Sequence, residues 1–167
     1  MRMSHLAIIV SVGTALAVVA ASSRAQSAPP SRCKTLTGHY VANQTTTNCT
    51  SPTGICFVGT ITGDKVLGGS SSFIELDQAP SAGMPLTEPG TTVSYSGTLT
   101  ITTNGGTLTV RDLGVIDGAR TVFAEIERTV GGSGSFANAS GNFFLAGTMN
   151  STLTSFDGTF SGQLCGL

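Results

Sequence analysis

The sequence predicts an all-β protein, an eight-stranded antiparallel up-and-down β-barrel. Three observations predict it. First, charged residues make up only 10% of the 167-residue chain while glycine occurs 22 times, so Thr and Ser, strand-compatible residues, carry the surface, and glycine marks the turns. Second, two runs alternate cleanly. In 91–103, Val93, Tyr95, Gly97, Leu99 and Ile101 alternate with Thr and Ser; in 155–165, Phe156, Gly158, Phe160, Gly162 and Leu164 alternate with Asp157, Thr159, Ser161 and Gln163. Such alternation belongs to an antiparallel sheet with one face on a core. Third, glycines at 59, 63, 97, 114, 147, 158 and 162 fall inside strand-like runs. A sandwich would also accept eight strands, but a closed sheet must bend sharply, and strand glycines allow that.

The elements follow in chain order. Residues 1–25 read as a secretory signal peptide: Arg2 and His5 precede an apolar run from Leu6 to Ala21, and Ser23 and Ala25 offer small residues for cleavage before Gln26. The run is short for a membrane span of about 20 apolar residues. Residues 26–35 form a flexible lead-in, and 36–167 the barrel. Strands are expected at 36–43, 55–63, 66–76, 91–103, 106–116, 119–130, 141–150 and 155–165. Asn104-Gly105 and Asp117-Gly118 are hairpin signals. The three-proline stretch 77–90 reads as a loop, and no window after the leader has helical periodicity.

The leader points to an extracellular or periplasmic, oxidising compartment, where four cysteines form disulfides. Three pairings are possible. The favoured one joins Cys49 to Cys56, stapling a polar loop, and Cys33 to Cys165, tying the first strand to the last. No CxxC occurs and His39 is the one histidine beyond the leader, so neither a metal site, a cofactor site nor a catalytic triad is expected. All nine acids but only six of the eight bases lie beyond the leader, without a basic cluster, which argues against nucleic acid as a partner. Asp64 and Lys65 read as a solvated turn. The sequons at Asn43, Asn48, Asn138 and Asn150 would carry sugar only in a eukaryotic secretory pathway.

The segment GGSGSFANASG at 131–141, followed by NFFLAGTM, resembles the glycine-rich GG(S/T)GxFxxAxG signature of the allene oxide cyclase and dirigent proteins. The resemblance implies an eight-stranded antiparallel barrel, closest to secreted bacterial barrels of that type with no assigned role. It covers about eleven residues and is architectural, so no catalytic residue of those families transfers to this chain. The residues themselves read as a joint. Gly131, Gly132 and Gly134 let the chain reverse at the rim, Phe136 plugs the end of the apolar interior, and Gly141 restarts a strand. A phosphate cradle would need a lysine and a following helix, and neither is present.

Treating both hairpins as two-residue loops gives a register. Across the first, Tyr95 faces Gly114, Gly97 faces Asp112, Leu99 faces Val110 and Ile101 faces Leu108. Across the second, Asp112 faces Phe123, Val110 faces Glu125 and Leu108 faces Glu127. Opposed residues share a face, so Tyr95, Asp112 and Glu125, with Glu127 beyond, project into a lumen walled by Val93, Leu99, Ile101, Val110 and Phe123. Gly97 and Gly114 leave room beside Asp112 and Tyr95. A desolvated carboxyl there has a raised pKa and suits proton transfer; a one-residue bulge at either turn would send the acids outward instead. Asp112, Glu125 and Tyr95 are thus the candidate catalytic residues, and Val93, Leu99, Ile101, Val110 and Phe123 the candidate ligand-binding ones. On the outer face, Leu113, Val115, Val122 and Ile126 lie among Arg111, Arg120 and Arg128, a surface suited to a homodimer or homotrimer.

Three functions fit this reading. The first is a secreted barrel binding a small hydrophobic molecule. The second is a cofactor-independent cyclase or isomerase, steering an unsaturated substrate by shape and one acid. The third is a structural or interaction barrel whose lumen is filled. An open lumen holding Asp112 or Glu125 favours the second, a dry apolar lumen the first, a packed lumen the third.

Overall fold

Alternating apolar and hydroxyl residues curl the chain into a tube. In the computed structural model, described over residues 32–81 and 91–167, the strands are β1 (Cys33–Gln44), β2 (Cys56–Thr62), β3 (Gly69–Pro80), β4 (Thr92–Thr103), β5 (Gly106–Asp117), β6 (Val122–Gly132), β7 (Ser140–Met149) and β8 (Ser155–Cys165). Each pairs antiparallel with its sequence neighbour, and β1 pairs with β8, so the sheet is a closed up-and-down barrel. The leader, residues 26–31 and residues 82–90 of the expected loop lie outside the described residues. Among the described residues no helix is long and apolar enough to cross a membrane.

Both favoured disulfides are present. Cys33–Cys165 bonds directly opposed residues of β1 and β8, and Cys49–Cys56 closes the loop between β1 and β2. The strand β1 starts at Cys33, inside the stretch read as lead-in, because pairing with β8 continues to that residue. Residues 77–80, expected in a loop, belong to β3, which pairs with β4 up to Pro80 opposite Val93. A bulge makes this possible: Glu75 pairs with Gly97 and Asp77 with Ser96, leaving Leu76 over. The extra residue flips the inward parity, so Gln78 rather than Asp77 faces Tyr95.

The barrel has two unlike ends. At one, the glycine-rich segment is the expected joint. β6 runs on through Gly131 and Gly132, Gly134–Phe136 form one 3-10 turn, and Phe136 is 1% exposed. Gly134 has φ +60, and a side chain there would strike the Gly105 carbonyl. The joint is bonded to the β4–β5 hairpin: Ser135 N donates to Gly105 O (2.9 Å) and Ser133 N to Thr107 O (2.8 Å). Leu67, 1% exposed, seals the same end from the β2–β3 turn, where Asp64 Oδ1 accepts the Val66 and Leu67 N–H groups at 2.6 and 3.0 Å. The opposite end, the mouth, lies between the β1–β2 loop and the turns after β5 and β7.

Candidate functional site

Strand β4 places the site. Its register with β5 is the one expected, Tyr95 opposite Gly114, Gly97 opposite Asp112, Leu99 opposite Val110 and Ile101 opposite Leu108. The β5–β6 register is not. The turn spans residues 118–121 rather than two residues, held by Asp117 Oδ1 accepting the Ala119 and Arg120 N–H groups and by an Arg120–Asp117 ion pair at 2.7 Å. Asp112 therefore faces Glu127, not Phe123; Gly114 faces Glu125; Ile116 faces Phe123. Val110 likewise faces Thr129, not Glu125, and past an irregularity between Thr109 and Val110 Leu108 faces Gly132, not Glu127. From Val110 to Asp117 the slip is an even number of residues, so Glu125 and Glu127 keep their inward face. Asp112, Glu125, Glu127, Tyr95, Leu99, Ile101, Val110 and Phe123 are all buried.

Three carboxyl groups thus meet in the middle of the barrel, and among the described residues no basic side chain lines the void they share. Tyr95 Oη donates a short hydrogen bond to Glu125 Oε1. Asp112 Oδ1 and Glu127 Oε1 have no hydrogen-bond partner among the described residues. Loss of water pushes all three carboxyls toward the protonated form: Asp112 to about 10, helped by the charges of Glu125 and Glu127; Glu127 to about 8, helped by Glu125; and Glu125 to about 7, the Tyr95 hydrogen bond restraining the rise. Burial and the neighbouring Glu125 charge raise Tyr95, and likewise Tyr40 on the facing wall. The space these groups share with Tyr40, Phe57, Phe73, Leu99 and Phe156 is only about 10 Å³, on the order of one water molecule. A second void of about 10 Å³ lies toward the closed end, against Leu99, Ile101 and Glu127.

A roomier space opens at the mouth. A cavity of about 260 Å³ is lined by Ile55, Phe57, Phe73, Val93, Ile116, Met149, Leu153 and Phe156 and by the polar residues Gln44, Glu75, Gln78, Thr91, Tyr95 and Thr152. Phe57, Phe73 and Phe156 line both this cavity and the acid void, so they form the floor between them. The rings pack edge to face, Phe57 on Phe156 and Phe123 on Phe156 with centroids 4.7 Å apart, Phe73 on Tyr95 at 6.1 Å. Gly97 and Gly114 are what let these rings lie flat on the wall, since a side chain at Gly97 would enter the Phe73 ring and one at Gly114 the Tyr95 ring. Tyr95 spans the floor, its ring on the cavity and its hydroxyl on Glu125.

Of the residues expected to bind ligand, Val93 lines the roomy cavity, Leu99 and Ile101 line the narrow voids, Phe123 packs against the floor and Val110 sits in the core. Asp112 and Glu125 lie beneath the floor. The sequence reading missed Glu75, which lines the cavity, is 4% exposed and has its buried Oε1 without a hydrogen-bond partner among the described residues. The alternation Ser71, Phe73, Glu75 was the signal that would have found it, because all three are buried on the inner face of β3. Burial raises the Glu75 pKa, with Asp77 adding to the rise and the Thr53 side chain opposing it. It is as little exposed as the central acids, but fewer atoms surround it because it borders the open cavity.

On the outer face, Leu113, Ile126 and Phe144 stand in line across β5, β6 and β7, all more than half exposed. His39 Nε2 pairs with Asp157 Oδ1 at 2.8 Å on that same outer surface. Among the described residues no group of three His, Cys, Asp or Glu side chains is placed to hold a metal ion. No protein-family model matches the chain, and no curated protein matches it.

Proposed function

We propose that this protein is an exported barrel that binds a small, mainly apolar molecule in the mouth cavity. One observation carries the reading. The voids around the central acids hold only about 10 Å³ each, whereas about 260 Å³ stays open at the mouth, walled by aromatic and aliphatic side chains with a few polar groups among them. That is the makeup of a small-molecule site, near the lower end of the usual size of about 300–1,000 Å³. The resemblance of residues 131–149 to the allene oxide cyclase and dirigent barrels supports the reading, and two disulfides support export. Native mass spectrometry of protein secreted by its own host tests it: a retained molecule is expected, displaced when Val93→Trp fills the cavity. Protein that emerges empty, and whose stability no apolar compound raises, overturns it.

The Tyr95–Glu125 pair favours a second reading, a cofactor-independent cyclase or isomerase. Tyr95 touches the cavity while its hydroxyl lies on a buried carboxyl whose pKa is raised to about 7, so a proton could pass between cavity and acid through the phenol. Turnover of an unsaturated substrate that Tyr95→Phe abolishes, with binding retained, would separate this reading from simple binding.

A further inference from the structure

We infer that the mouth cavity selects a cationic amine: the buried, unpartnered carboxyl oxygen of Glu75 beside the Phe57, Phe73 and Phe156 rings forms a receptor for an apolar molecule ending in an ammonium group. The inference rests on the binding reading above and adds the charge of the ligand.

The first support is an unmet hydrogen-bonding need. Glu75 Oε1 has no hydrogen-bond partner among the described residues, and a buried acceptor left unpaired is destabilising. Something that donates a hydrogen bond is therefore favoured at that point of the wall. The bulge after Glu75 creates this arrangement, since it turns Gln78 inward next to Tyr95, and Gln44 and Gln78 both reach the cavity. Their amide carbonyls add acceptors for the remaining N–H groups of an ammonium, which has three donors and no acceptor.

The second support is the sign of the charge. Among the described residues no Lys, Arg or His lines the cavity. Arg120, in the turn at this end, is held by Asp117 at 2.7 Å, while Asp77 adds negative potential at Glu75. A carboxylate ligand would enter without a counter-charge and against an acid. A cation instead offsets the desolvation of Glu75 and meets three aromatic rings, which attract cations through their faces. Charge-assisted hydrogen bonds of this type are about twice as strong as neutral ones.

Three probes with one apolar body separate the possibilities: 4-phenylbutylamine, 4-phenylbutanol and 4-phenylbutyrate, titrated by calorimetry into the full secreted protein and into Glu75→Gln and Val93→Trp. The amine is expected to bind about tenfold or more tightly than the alcohol, and the butyrate most weakly. In Glu75→Gln, which keeps the shape and removes the charge, the amine should lose its advantage and bind no more tightly than the alcohol does to the same variant. In Val93→Trp all three should be lost. If the alcohol and amine bind equally, or the butyrate binds best, the cation inference fails and the binding reading stands. If none binds, the binding reading fails and takes the inference with it. Amine binding that survives Val93→Trp with circular dichroism unchanged places the site elsewhere and overturns the inference.

Discussion

The closed half of the barrel and the mouth half are made from the same strands to opposite ends. Toward the closed end, Phe136, Phe143, Leu67, Ile101, Leu108 and Leu164 are almost wholly buried, and the joint bonded to the β4–β5 hairpin fixes the plug. Toward the mouth, a floor of rings stops short of the rim and a cavity remains. Buried acids occur in both halves, and they differ in the same way. Asp112, Glu125 and Glu127 share a space fit for one water, whereas Glu75 borders about 260 Å³. Similar exposure therefore conceals two chemistries: a sealed acid gives up its charge, while an acid at a cavity wall can find a partner that arrives from outside.

Acidity should break the comparison most strongly. In the unfolded chain the three central carboxyls lose their protons near pH 4. In the folded barrel they hold them until about 7 to 10. Over that interval the native state binds more protons than the unfolded state, so stability is full below about pH 4 and falls as pH rises. Each retained proton steepens the fall by about 1.4 kcal/mol per pH unit. Urea unfolding from pH 4 to pH 9 should show this decline, and Asp112→Asn with Glu127→Gln should flatten it. Glu75→Gln should change it less, its pKa being raised under a thinner cover. Stability that climbs from pH 5 to pH 8 would show that the central acids are solvated.

The two disulfides give the next largest contrast. Cys33–Cys165 closes a separation of 132 residues and Cys49–Cys56 one of 7. Loop-closure entropy in the unfolded chain scales with the logarithm of that length. Alanine in place of both cysteines should therefore lower stability by about 5 kcal/mol at the closed end and about 2–3 kcal/mol at the mouth. The mouth staple should reveal itself in ligand binding instead. It holds the loop whose Ser51 hydroxyl donates to the Glu75 carbonyl at 2.7 Å and whose Ile55 lines the cavity. Paired denaturation and titration curves for the two double variants test the division. Equal losses of stability at both ends would remove it.

The closed half was also the more legible in the sequence, for a physical reason. Alternation over 91–103 and 155–165 specifies which side chains point inward, and an Asn-Gly turn fixes the β4–β5 register because only a two-residue loop fits it. The Asp117-Gly118 signal misled, since Asp117 caps a four-residue turn with its own side chain; the even slip hid the error from the facing of Glu125 and Glu127. At the mouth the reading ended β3 too early. Asp77 and Pro80 suggested a loop, but the bulge at Leu76 turned Asp77 outward, and Pro80 lies at the strand's last position, where its missing N–H does no harm. That bulge is what completes the wall around Glu75, so the cavity could not be read from periodicity.

Packing supplies the smallest contrast and the most local one. Phe136 is sealed under the joint, so Phe136→Ala should open a void that the bonded hairpin cannot collapse, lowering stability by about 3–5 kcal/mol. Val93 already faces open space at the cavity wall, and Val93→Ala should lower it by about 1 kcal/mol or less, because few of its contacts are there to lose. The same two substitutions should sort oppositely in binding, the first leaving affinity for an apolar probe unchanged and the second weakening it. A barrel in which Val93→Ala proved as destabilising as Phe136→Ala would have a mouth packed like its base, with no room for the ligand the cavity implies.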